Sequence, residues 1–104
     1  MTTKVTYRLD KEGNFQFISI CDHANYDKKN KDIVCAGISA ITYGTISFLQ
    51  NYYKDICQVS YLSTEITIRP VVNSSDCQLC LKMMIHQLKN IASFYQRYLI
   101  VSEE

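Results

Sequence analysis

The sequence predicts an α+β fold: two helices packed on one face of a mostly antiparallel sheet, in the order β-β-α-β-β-α. Three observations predict it. Short runs near the N-terminus and after residue 55 are rich in β-branched and aromatic residues. Two longer runs, from Ile33 and from Cys77, repeat their apolar residues at helical spacing. With only three glycines and one proline, most of the chain belongs to regular elements.

Residues 5–9 alternate, with Val5, Tyr7 and Leu9 on one face and Thr6 and Arg8 on the other. Asp10 to Asn14 contains Gly13 and reads as a turn, so Phe15 to Cys21 completes a hairpin. Residues 22–31 are polar and aperiodic, which predicts an exposed, mobile loop over 24–31. Asp32 then stands as the N-cap of a helix whose stripe is Val34, Ile38, Ile41, Thr45, Phe48 and Tyr52. Gly37, Ala40 and Gly44 lie on a neighbouring part of that helix and predict close packing there. Ile56 to Leu62 and Glu65 to Arg69 form a second strand pair, ended by Pro70. Ser75 and Gln78 suggest a capping box, and the spacing of Cys77, Leu81, Met84, Leu88, Ile91, Tyr95 and Tyr98 extends a second helix.

A chain of 104 residues is expected to form one domain, 1–104. Its net charge of +1 gives no global pull toward nucleic acid or anionic membrane, so neither is expected as a direct partner. No stretch reads as membrane-spanning, and no apolar export segment follows Lys4. Five cysteines, an odd number, then point to reduced thiols in the cytoplasm.

The chemistry-bearing candidates are Cys35 and His23. A thiol attacks as thiolate, and a helix N-terminus or a nearby imidazolium favours that form. With Asp32 as N-cap, Cys35 falls in the first turn, among backbone N–H groups able to stabilise an oxyanion. His23 stands twelve positions earlier, where the second strand finishes, so one strand-to-helix loop can bring base and nucleophile together. On spacing alone, a buried structural cysteine is the commoner reading.

The residues themselves change that balance. The run Asp22-His23-Ala24-Asn25-Tyr26, followed by Lys31-Asp32-Ile33-Val34-Cys35-Ala36-Gly37-Ile38-Ser39-Ala40, closely resembles the ribosomal-processing cysteine protease Prp family. The match continues through Tyr43-Gly44-Thr45 and covers residues 22 to about 49. Two positions depart from the family pattern: Asp22 and Asn30 stand where glycines are usual. The resemblance implies a homodimeric cysteine endopeptidase that removes the N-terminal extension of large-subunit ribosomal protein L-twenty-seven. It implies Cys35 as nucleophile, His23 as general base, Asp32 and Ser39 as supporting residues, and no metal or organic cofactor.

Cys77-Gln-Leu-Cys80 invites a rival reading as a thiol oxidoreductase or half a zinc site, with Cys57 and His86 as further candidates. Helical spacing explains both thiols as core residues without a metal. A non-enzymatic module binding RNA or the ribosome is the second rival. Near-neutral charge and the absence of an aromatic RNA-recognition pattern weigh against it.

Overall fold

A computed structural model of the chain describes residues 2–21 and 29–104, with backbone only for 29–32. It contains β1 (Thr3–Leu9), β2 (Phe15–Cys21), α1 (Lys29–Tyr52), β3 (Cys57–Tyr61), β4 (Glu65–Pro70), α2 (Ser75–Phe94) and β5 (Leu99–Glu103). The sheet order is β3-β4-β2-β1-β5. Every neighbouring pair is antiparallel except β1 with β5. The α+β architecture with paired helices is as the sequence predicts.

Strand parity explains the core. Val5 and Tyr7 of β1, Ile18 and Ile20 of β2, and Ile66 and Ile68 of β4 face one side. They join Val34, Ile38, Ile46 and Leu49 of α1 and Leu81, Met84, Ile85 and Leu88 of α2 in one buried cluster. The helix-free side carries polar groups and Phe17, whose ring lies 4.6 Å from the Arg8 guanidinium and 5.2 Å from that of Arg69. Those two cationic planes shield the ring where no helix covers it.

Four expectations need correction. First, the sequence pattern does not reveal β5 (Leu99–Glu103). Its Leu-Ile-Val-Ser run is short and strongly β-forming, but Tyr95 and Tyr98 continue the helical spacing and mask the switch. In fact α2 ends at Phe94, and the Tyr95 N–H closes the helix by donating to the Ile91 carbonyl at 3.0 Å.

Second, the cap of α2 is Ser74, whose hydroxyl accepts the Cys77 N–H at 3.2 Å. Gln78 is therefore not part of a capping box and serves the β2 hairpin instead.

Third, the buried stripe of α1 is Val34, Ile38, Thr42, Ile46 and Leu49. Phe48 and Tyr52 are exposed because the spacing read from the sequence drifts round the helix toward the α2 side.

Fourth, Ile33–Tyr52 is long and apolar enough to cross a bilayer by length and composition, contrary to the sequence reading. In this fold Val34, Ile38, Ile46 and Leu49 of the stretch are buried in the core, while Ile33, Tyr43, Phe48 and Tyr52 remain exposed.

Candidate active site

One end of the sheet brings together Cys21, Glu65 and the β3–β4 turn. Cys21 is the last paired residue of β2, opposite Lys4 on one side and Glu65 on the other. Tyr61, the last residue of β3, pairs with Ile66, and the Leu62 N–H closes the β3–β4 turn on the Glu65 carbonyl at 2.8 Å. The C-terminal end of β2 and the β3–β4 turn therefore share one edge of the fold. His23 follows Cys21 by two residues in sequence; His23, Asp22 and Ala24 to Lys28 lie outside the described residues.

The helix that carries Cys35 starts earlier than expected. α1 begins at Lys29, so Asp32 is its fourth residue and not its N-cap. The stretch from 29 to 32 is polar enough to read as loop, yet it contains neither glycine nor proline and nothing in it breaks a helix. The predicted loop over 24–31 accordingly ends by residue 29. Cys35 sits in the second turn, beyond the unpaired N–H groups that open a helix. The first-turn placement expected for it, with its own N–H available to an oxyanion, does not hold.

Helical spacing assigns the flanks of α1. Cys35, Ser39 and Tyr43 follow one another at one turn each, and Gln50 extends the same flank to a cleft beside β3. Cys35 and Ser39 are half-buried, while Tyr43 is exposed. The opposite flank meets α2: a Cβ built on Gly37 would lie 3.3 Å from Ile91 Cδ1. Gly44, Thr45 and Phe48 there share a surface hollow with Cys80 and Met83. The candidate nucleophile thus looks toward the β3 edge of the molecule and away from α2.

A cluster the sequence reading missed adjoins this end. The Ser19 hydroxyl donates to Glu65 Oε2 at 2.5 Å, and the Cys21 thiol approaches the same oxygen at 3.6 Å. Ser19 and Cys21 alternate on the helix-free face of β2, which is the only sequence signal that could have paired them. Their bonds tie β2 to β4 at the point where ladder pairing stops, the place where a strand otherwise frays.

The Cys77–Cys80 pair behaves as core. Cys77 is buried in the first turn of α2, and the thiol it meets is Cys57 at the start of β3. That hydrogen bond, reinforced by burial, pushes the Cys57 thiol well above its ordinary range. The same bond pulls the Cys77 thiol down against the effect of burial. Burial raises Cys80. None of the five cysteines is in a disulfide. Among the described residues no His, Cys, Asp and Glu group has an arrangement suited to a metal ion. His86 is exposed, on the rim of a hollow lined by Tyr7, Phe15 and Lys89.

The comparison with known proteins decides the family. The family model for cysteine protease Prp matches residues 1–100. The chain belongs to the cysteine protease Prp family. It is a cysteine protease, and the resemblance first read from residues 22 to 49 extends over nearly its whole length. The ribosomal processing cysteine protease Prp of Mycoplasma genitalium is 27% identical over 88 residues, covering 85% of this chain and 88% of that one. Its counterpart from Staphylococcus aureus is 28% identical over 94 residues, covering 88% and 89%. The crystal structure of the essential ribosomal processing protease Prp from S. aureus, in complex with a substrate peptide, superposes with a TM-score of 0.88. It covers 99% of this chain and 100% of its own at 24% identity. A second structure of that protease, with a covalently linked product peptide, gives a TM-score of 0.87 at 24% identity.

Proposed function

We propose that this protease removes the N-terminal extension of large-subunit ribosomal protein L-twenty-seven and so serves ribosome assembly. Cys35 is the nucleophile and His23 the general base, with Asp32 and Ser39 in support. What supports the reading is the family match over residues 1–100, together with a half-buried Cys35 in the second turn of α1, the helix that follows β2 and His23 in sequence. The names of the relatives, ribosomal processing proteases, favour the substrate class.

In the reaction, His23 takes the thiol proton and Cys35 Sγ attacks the scissile carbonyl carbon. The resulting tetrahedral oxyanion collapses, the C–N bond breaks, and the protonated imidazole gives its proton to the departing amine. A thioester then joins the extension to Cys35. Water, deprotonated by His23, attacks that thioester and releases a carboxylate and the free thiol. No redox partner, metal or cofactor enters this sequence.

The working enzyme is a homodimer in the cytoplasm. An exposed apolar strip on the α2-facing flank of α1, with Phe48 and Tyr52 beside Leu79 and Met83, suits a second copy. The decisive experiment incubates the protein with its host's ribosomal protein precursor and weighs the product. A shortened N-terminus with wild type and none with Cys35→Ala supports the reading. An uncut precursor overturns the substrate assignment.

A further inference from the structure

We infer that Glu65 is a positioning residue for the catalytic base: it clamps the end of β2 and so fixes the point from which the chain runs to His23. The inference rests on the proposed role of His23 and adds what sets that base in place. Cys21, the last residue of β2, stands opposite Glu65, the first residue of β4. It also forms the last pair of β2 with β1. Two peptide links separate Cys21 from His23, a reach of no more than about 7 Å. A shift of Cys21 is therefore passed on to the base, with little chain between them to absorb it.

Side chains make the clamp where backbone pairing gives out. Ser19 and Cys21 project on the helix-free face of β2, and Glu65 projects on the same face of β4. Glu65 Oε2 accepts the Ser19 hydroxyl at 2.5 Å and the Cys21 thiol at 3.6 Å, and the two donor atoms lie 3.3 Å apart. Ser19 is only 5% exposed, so its bond to the carboxylate is shielded from water. A hydrogen bond to an ionised acceptor is about twice as strong as one between neutral groups. One oxygen thus holds β2 at two successive positions of that face. The Glu65 carbonyl meanwhile accepts the Leu62 N–H at 2.8 Å, so the clamp is seated on a closed turn and not on a loose strand end.

Such a clamp could serve the sheet or the base, and its place in the sheet favours the base. β2 is an inner strand, laddered to β4 on one side and β1 on the other, so its body needs no further fastening. The carboxylate acts on its last residues alone, those that lead to His23. The two roles also predict different kinetics. A group that only stabilises the sheet changes the folded fraction and leaves the turnover of folded enzyme alone. A group that places the base changes kcat, because a misplacement on the order of 1 Å costs up to about 10²-fold in rate. KM stays, because the clamp lies on the helix-free face while Cys35 belongs to α1.

The test measures kcat and KM on a synthetic peptide reproducing the extension and the first mature residues, with the folded fraction of each variant taken from its thermal melt. Glu65→Ala should lower the kcat of the folded enzyme roughly 10–100-fold and keep KM within about twofold of wild type. Glu65→Gln keeps a side-chain oxygen for the Ser19 hydroxyl and should restore kcat to within about threefold. Ser19→Ala should lower kcat in the same way, and adding it to Glu65→Ala should cost nothing further, because both break one clamp. Wild-type kcat in folded Glu65→Ala, a loss confined to KM, or a Glu65→Gln variant as slow as Glu65→Ala would overturn the positioning role while leaving His23 the base. A His23→Ala variant as fast as wild type would instead overturn the base assignment, and the positioning role with it.

Discussion

Gln78 holds Phe15 as a neighbouring strand would: its Oε1 accepts the Phe15 N–H at 2.6 Å and its Nε2 donates to the Phe15 carbonyl at 3.0 Å. The side-chain amide of α2 thus satisfies both backbone groups at the first residue of β2, next to the irregular register between Arg8 and Leu9. Gln78→Ala leaves both groups without a partner in a half-buried place and should cost roughly 1–3 kcal/mol. Gln78→Glu keeps an acceptor and loses the donor, so it should fall between wild type and Ala. Urea unfolding measures both, and equal stability of Gln78→Ala and wild type would show that water replaces the amide.

Cys35→Ala should abolish peptide cleavage and leave the fold intact, because a half-buried thiol on a helix flank is replaced by a good helix former. His23→Ala should slow turnover by roughly 10²–10⁴-fold, the usual loss of a general base. Mass spectrometry of the product and a thermal melt on each variant are sufficient. Turnover by Cys35→Ala would require a different nucleophile, and a loss below tenfold in His23→Ala would require a different base.

The order in which thiols are alkylated separates proteolysis from thiol–disulfide chemistry. Cys57 and Cys77 are buried against each other, and the Cys57 thiol is held in its protonated form through neutral pH and above. Cys77 loses that advantage to burial, since reagent cannot reach it without opening the helix–sheet contact. Native protein treated with iodoacetamide at neutral pH should label Cys35 first and Cys57 and Cys77 only after unfolding. First labelling at Cys77 would favour an oxidoreductase.

The parts of the fold legible in the sequence are those whose period is unambiguous. Val5, Tyr7 and Leu9 alternate cleanly, and Leu81, Met84 and Leu88 keep helical spacing, so both elements are found with the correct buried face. β5 escapes because Tyr95 and Tyr98 satisfy the helical period while Leu99 and Val101 satisfy the strand period. Only the parallel pairing with β1, a contact between the chain's two ends, decides between them. The start of α1 escapes because Lys29 to Asp32 lack apolar residues, and a first turn needs no buried face when the next five turns supply it. Within the site, Cys35 and His23 were found by their resemblance to a family motif. Glu65, some forty residues from Cys21 and Ser19, joins them only through strand register.

The two glycines of α1 should respond differently to the same substitution. Glycine in a helix interior costs roughly 0.5–1 kcal/mol relative to alanine. A Cβ on Gly44 meets nothing within 4 Å, so Gly44→Ala should recover that amount and raise the melting temperature. A Cβ on Gly37 meets Ile91 Cδ1 at 3.3 Å, so the same gain is offset by displacement of that methyl group. Gly37→Ala alone should therefore be near neutral or slightly destabilising. Ile91→Val removes the opposing Cδ1 atom, and in that background Gly37→Ala should become stabilising by about the amount seen at Gly44. The two single variants and the double variant, melted at one protein concentration, complete the cycle. Additive effects of Gly37→Ala and Ile91→Val would mean that the methyl group does not oppose the new Cβ. The close approach of α1 to α2 at Gly37 would then have some cause other than this contact.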